Sequence, residues 1–233
     1  MLRFVQARAI APALALCLAV LPARAQDATC TEDAMIVFDG SGSMAEMGFN
    51  LMDEPRIFEA RRAMTKAIPD IAQHRALGLI IYGPGSADGC TGIDLRFPPM
   101  ADAAPAILSA VDALQPAGST PLTQAVGNAA GVLLAQGGPG TIVLITDGKE
   151  TCGGAPCRLA AELAAEDMTL HVIGFKVRGD FFAWDQQAGE DYRQSEAVSR
   201  CLADRTGGLY VSAATVGELV AALRSTLGCQ ILF

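Results

Sequence analysis

The sequence predicts an α/β protein: a doubly wound, mostly parallel six-stranded sheet with one antiparallel edge strand and helices on both faces. Three features point there. Short apolar runs alternate with longer amphipathic segments, the rhythm of strand–helix–strand units. The apolar runs are nearly continuous, as parallel strands covered on both faces require. No repeat, low-complexity tract or interdomain linker interrupts the pattern.

In chain order, the parallel strands are expected at Met35–Phe38, Leu77–Tyr82, Thr141–Thr146, Thr169–Phe175 and Leu209–Ser212. "GIDLRFP" differs, because Ile93, Leu95 and Phe97 alternate with Asp94 and Arg96 before two prolines. Period-two alternation with a proline boundary suits a half-exposed edge strand, paired as a hairpin with the strand ending at Tyr82. In "DEPRIFEARRAMTKAIPDIA", Ile57, Met64, Ile68 and Ile71 make one apolar helical stripe, with Asp53 and Glu54 suited to its start. Further helices are expected near 103–114, 121–135, 156–166, 193–205 and 215–227. Thr120 before Pro121 reads as an N-cap followed by proline at the first helical position.

The amino-terminal end reads differently. Arg3 and Arg8 precede an apolar stretch from Ala9 to Leu21 and the small-residue pattern Ala23, Arg24, Ala25. This order predicts a signal peptide over residues 1–25, leaving one domain over 26–233. A membrane anchor is the rival, but about 13 apolar residues fall short of the roughly 20 that span a bilayer. No stable membrane insertion is therefore expected after cleavage, and the location is periplasmic or secreted. Removing the segment takes the formal net charge from −8 to −11, because it carries three Arg and no acid. So acidic a chain disfavours nucleic acid or anionic lipid as a partner. Six cysteines remain, Cys30, Cys90, Cys152, Cys157, Cys201 and Cys229, an even number suited to disulfides in an exported protein. Zinc is poorly supported, since His74 and His171 lie far from any cysteine pair in sequence.

The chemistry gathers at one edge. In an open α/β sheet, ligands bind where loops leave the carboxyl ends of the strands. Asp39 ends the first strand in "AMIVFDGSGSMAE", and Asp147 ends another in "IVLITDGKE". Ser41 and Ser43 add two hydroxyls, and the intervening glycines let the backbone fold tightly. Hard oxygens without thiolate select a hard cation, Mg²⁺ first, then Mn²⁺ or Ca²⁺. Two carboxylates and two or three hydroxyls leave coordination for water or an outside ligand.

These residues resemble the von Willebrand factor type A (VWA) domain and its metal-ion-dependent adhesion site. The D-x-S-x-S motif appears as Asp39, Ser41 and Ser43, the family threonine matches Thr120 in "GSTPL", and the later aspartate matches Asp147 in "TDG". The resemblance covers essentially the whole mature chain. It implies that Ser41 and Ser43 coordinate the metal directly, Thr120 directly or through water, and Asp39 and Asp147 mainly through bridging water. The open position would take a carboxylate from a partner protein, so the function is recognition rather than bond breaking. "TDGKETCGGAPC" also looks like a subgroup of exported bacterial VWA proteins. In the family the termini lie close together, which implies a Cys30–Cys229 disulfide; Cys152 with Cys157 is the next pairing expected.

Other readings weigh less. A metal-dependent phosphohydrolase of the haloacid-dehalogenase type needs a second Asp where Ser41 stands. A G-x-S-x-G elbow is absent, the dinucleotide pattern G-x-G-x-x-G is incomplete, and His171 lies inside an apolar strand. A metal-free scaffold module is the third alternative. "RGD" at 178–180 is a short match expected by chance, whereas Phe181, Phe182, Trp184 and Tyr192 in "FFAWDQQAGEDY" could rim a partner site.

Overall fold

The computed structural model describes residues 30, 32–48, 54–85, 89–176 and 186–229, and of residues 186–195 the backbone only. Among them, six strands form one sheet: β1 (Ala34–Asp39), β2 (Leu77–Tyr82), β3 (Ile93–Met100), β4 (Thr141–Thr146), β5 (Thr169–Phe175) and β6 (Tyr210–Ala213). Their order is β3-β2-β1-β4-β5-β6. β3 pairs antiparallel with β2 at one edge, and the other neighbours are parallel. The helices are α1 (Arg56–Ile71), α2 (Ala104–Ala113), α3 (Leu122–Gln136), α4 (Pro156–Ala165), α5 (Gln186–Arg205) and α6 (Val216–Leu227).

The alternation of side chains along β1 sorts the core into two layers. Ala34, Ile36 and Phe38 face the layer of α1, α2 and α6. Met35 and Val37 face that of α3, α4 and α5. Every residue of β1 is shielded from solvent, so the central strand reads as one apolar run for the reason parallel sheets demand. Truncating Phe38 to Ala would cost about 3–5 kcal/mol in lost burial and cavity. The α1 stripe is buried as its spacing predicts, with Ile57, Met64, Ile68 and Ile71 all in the core.

Several boundaries differ from the sequence reading. α1 starts at Arg56 behind Pro55, and Glu54 instead pairs with Arg62; Asp53 lies outside the described residues. β3 continues through Pro98 and Pro99 to Met100, which an edge strand permits because its outer N–H groups have no ladder partner. Leu95 does not point into the core and is 46% exposed. Beyond Leu95 the strand bulges: Leu95 opposes Ile80 and Phe97 opposes Leu79, two residues against one. Ile93 consequently packs on one layer and Phe97 on the other. β6 sits one residue later than expected. α6 starts with a full capping box, Thr215 Oγ1 accepting from Glu218 N and the Glu218 carboxylate accepting from Thr215 N.

The cysteines pair as Cys30–Cys229, Cys90–Cys152 and Cys157–Cys201. The expected Cys152–Cys157 pairing is therefore incorrect. Cys157 belongs to α4 and packs toward α5, where Cys201 lies, whereas Cys152 precedes that helix in a loop facing Cys90. Nearness in sequence was overridden by the direction in which the helix carries Cys157. Near Cys30–Cys229, Arg75 donates to Glu32 O, Leu227 O and Thr141 Oγ1. This buried guanidinium ties the end of α6 to the strand starts, at the pole opposite the carboxyl edge.

Candidate functional site

Asp39 closes β1, and its backbone is flanked so tightly by β2 that only glycine can follow. A Cβ on Gly40 would lie 2.9 Å from Tyr82 O. The chain then turns, with Asp39 Oδ1 accepting from Ser41 N at 2.9 Å and Asp39 Oδ2 accepting from Thr146 Oγ1 at 2.7 Å. The carboxylate is fully buried, held by one bond from its own loop and one from β4. A short 3-10 turn, Gly42–Ala45, follows and is anchored by buried Met44.

The turn brings Ser41 and Ser43 together, their hydroxyl oxygens 3.0 Å apart. Ser43 Oγ donates to Asp147 Oδ1 at 2.6 Å. The second Asp147 oxygen accepts from Arg56 Nη1 at 2.9 Å. That same nitrogen donates to Ser43 O at 3.1 Å and lies 3.3 Å from Glu46 Oε2. Burial, and then the neighbouring Asp39 charge, raise the Asp147 carboxyl to about 7, against the lowering effects of Ser43 and Arg56. Tyr82, opposite Asp39 on β2, is fully buried, and burial followed by the Asp39 charge pushes its phenol well above the usual range.

Thr120 arrives on the irregular connection between α2 and α3. Ala117 N donates to Gly40 O and Gly42 N donates to Gly118 O, so this connection is laced to the Asp39–Ser43 loop. Gly118 also packs against the chain just after β2: its φ is +78°, and a Cβ there would lie 2.1 Å from Gly83 O. Thr120 is buried, and its hydroxyl makes no hydrogen bond with the other described residues. It is not the N-cap expected. α3 begins at Leu122 behind Pro121, and the first-turn amide of Thr123 is satisfied by Glu150 Oε2 at 2.8 Å. Glu150 also accepts from Thr123 Oγ1 and, through Oε1, from Cys152 N.

The expected residues thus converge from three connections at the carboxyl edge: Asp39, Ser41 and Ser43 from the first, Thr120 from the second, Asp147 from the third. Arg56, Thr146 and Glu150 also build the site and were missed. Thr146 had a signal, since it immediately precedes Asp147 on the strand; Arg56 had none, being one of several arginines on α1. Phe181, Phe182 and Trp184 lie outside the described residues, as does "RGD", and of Tyr192 only the backbone is described.

Among the described residues no cluster of three or more His, Cys, Asp or Glu side chains is suited to a metal. The donors here are two carboxylates and three hydroxyls, a hard-oxygen set. It fits a hard divalent cation, and the Thr120 hydroxyl, which bonds to none of the other described residues, fits the same use.

Such a sheet, with two carboxylates and three hydroxyls gathered where its parallel strands end, defines a doubly wound α/β module. The chain belongs to the von Willebrand factor type A domain family, whose profile matches residues 34–150, half of its length. Two Bacillus subtilis proteins of uncharacterised function are similar in sequence. YwmC is 27% identical over 66% of this chain and 73% of its own, and YwmD is 25% identical over 84% and 85%. Among solved structures, BatB from Bacteroides thetaiotaomicron aligns with a TM-score of 0.60 at 16% identity, covering 85% of this chain and all of that one. Proximal thread matrix protein 1 from the mussel byssus, with a zinc-occupied MIDAS motif, aligns at 0.54 and 17% identity. The alignment covers 85% of this chain and 48% of the mussel protein. The pilus adhesin SpaC from Lactobacillus rhamnosus GG aligns at 0.60 and 15% identity, over 87% and 30%.

Proposed function

We propose that this protein is an exported VWA binding module that engages a carboxylate of a protein partner through a divalent cation, Mg²⁺ foremost, held by Asp39, Ser41, Ser43, Thr120 and Asp147. The observation that carries this reading is the continuous chain Ser41 Oγ, Ser43 Oγ, Asp147 Oδ1, with links of 3.0 and 2.6 Å, at the edge where three connections meet. When bound, the cation would supply an electrophilic coordination position for an outside oxygen ligand.

The chain's own residues prepare that position. Thr146 and the Ser41 amide hold Asp39 at the floor. Arg56, shared between Asp147 and Glu46, offsets part of the carboxylate charge around the cation, leaving the cation's open position to attract an anionic group. The one hydroxyl that donates to a carboxylate here, Ser43 to Asp147, is assigned with that carboxylate to the cation, so binding rather than turnover is the reading we favour. The mussel matrix protein and the pilus adhesin serve adhesion or matrix roles by their names, in keeping with protein partners.

Three disulfides agree with an oxidising compartment outside the cytoplasm. No described helix is long and apolar enough to cross a membrane. Residues 1–25 serve as the export signal, and "TDGKETCGGAPC" belongs to the exported bacterial type.

Calorimetric titration of Mg²⁺ tests the reading. The wild type is expected to bind, and Asp39→Ala to lose affinity by roughly 10–100-fold or more while staying folded. No binding heat and no thermal stabilisation by Mg²⁺ or Mn²⁺ in folded wild type would reject it in favour of a metal-free scaffold.

A further inference from the structure

We infer that the Cys90–Cys152 disulfide is the positioning element for Thr120, setting how tightly the cleft holds its cation; this rests on the metal-binding reading above. The connection that carries Thr120 has no regular structure between the end of α2 at Ala113 and the start of α3 at Leu122. Its position is set by what it is bonded to. Ala117 and Gly118 are bonded to the Asp39–Ser43 loop. Ser119 and Thr120 are bonded to the two loops that the disulfide joins.

On one side, Ser119 N donates to Gly89 O at 2.9 Å, and Gly89 is the residue before Cys90. On the other, Thr120 N donates to Thr151 Oγ1 at 2.8 Å and Thr151 N donates to Thr120 O at 3.2 Å, and Thr151 is the residue before Cys152. Ser119 and Thr120 are strung between the two ends of one covalent bridge. Glu150 completes the frame, accepting from Cys152 N and from Thr123 N just beyond Thr120. Neither stapled loop is strand or helix at these residues. Without the bridge, the β2–β3 and β4–α4 loops are independent surface connections, and loops of that kind open locally at low cost. Cys157–Cys201 makes no comparable link, since it joins α4 to α5 and neither cysteine nor its neighbours bond to Ser119 or Thr120.

Two paired variants of the full chain separate the roles: Cys90→Ser with Cys152→Ser, and Cys157→Ser with Cys201→Ser. Amide exchange at Ser119, Thr120 and Thr151 is read without cation, and Mg²⁺ affinity by calorimetry. The first pair is expected to lose protection at those amides and to weaken Mg²⁺ binding roughly 10–100-fold, the effect of removing an outer-sphere support. The second pair leaves both within about twofold, although each pair removes one bridge of similar stabilising effect. Thr151→Val, which keeps every disulfide, reproduces part of the loss, and Thr151→Ser restores it; this comparison decides the matter if the first pair does not fold. Unchanged Mg²⁺ affinity in the first pair, or equal loss in both pairs, overturns the inference. Failure of wild type to bind Mg²⁺ rejects the metal-binding reading instead, while the amide exchange still decides whether the bridge holds Thr120.

Discussion

Arg56 Nη1 lies 2.9 Å from Asp147 Oδ2, joining the first turn of α1 to the end of β4 across 91 residues of sequence. The Asp147 side chain is wholly shielded and Arg56 is 14% exposed, so the contact is buried on the carboxylate side and partly open on the guanidinium side. Removing one member of such a pair leaves the other without compensation, at a cost of about 3–5 kcal/mol.

Arg56→Met is therefore expected to lower the stability of the cation-free domain by about 3 kcal/mol at pH 8. The loss should shrink at pH 5.5, because Asp147, with its carboxyl raised to about 7, is then mostly protonated in the fold and needs Arg56 less. Saturating Mg²⁺ at pH 8 should also narrow the gap to wild type. Urea unfolding at both pH values reads this, and a loss independent of pH and of Mg²⁺ would refute it.

His171 gives a pH dependence of its own. Its Nδ1 accepts from Leu209 N at 2.9 Å, and burial, with Arg75 second, lowers the imidazole to about 4. The folded state thus resists a proton that the unfolded chain takes up near 6.5. From this group, stability is complete above pH 6.5 and declines as pH falls toward 4. Asp147 acts oppositely, its raised carboxyl costing stability as pH rises through about 7. His171→Asn keeps an acceptor for Leu209 N but cannot titrate. The wild type should lose stability relative to this variant between pH 6.5 and 4.5, measured by denaturant unfolding; a constant difference would show that the imidazole is not responsible.

The start of α3 separates capping from ligand binding. Glu150 accepts from Thr123 N and Thr123 Oγ1, while the Thr120 hydroxyl bonds to none of the described residues. Glu150→Ala should cost about 1–2 kcal/mol, as for loss of a cap. Thr120→Ala should cost only about 1 kcal/mol without cation, the loss of one buried methyl, yet weaken Mg²⁺ binding. Paired thermal melts and titrations read both, and a large cation-free loss in Thr120→Ala would restore the N-cap reading.

At the far pole, Cys30–Cys229 closes a loop with a sequence separation of 199. Cys30→Ser with Cys229→Ser should lower stability by roughly 2–5 kcal/mol. Mg²⁺ affinity should stay within about twofold, because Arg75 still binds Leu227 O and the cleft lies at the opposite edge. On the binding function proposed above, partner affinity should likewise be unchanged. Partner affinity that rose sharply on cutting this bridge would instead make it a restraint on a switch.

Much of this molecule was legible in one dimension. Continuous apolar runs such as "AMIVF" could only be covered strands, and an aspartate directly after such a run must emerge at the carboxyl edge. Two of them, Asp39 and Asp147, with Ser41 and Ser43 in a glycine-rich turn, therefore mark one edge of the sheet and its set of oxygen donors by local pattern alone. What pattern could not supply were relationships set by packing. Which of six cysteines meet depends on the direction α4 carries Cys157. That Glu150, not Thr120, caps α3 depends on a neighbouring loop reaching across. That Arg56, among the arginines of α1, finds Asp147 depends on where the helix docks on the sheet. Periodicity records which face of an element avoids water, because burial acts on each residue singly. Partners distant in sequence are chosen only when the faces close, because hydrogen bonds and bridges need two atoms at one distance.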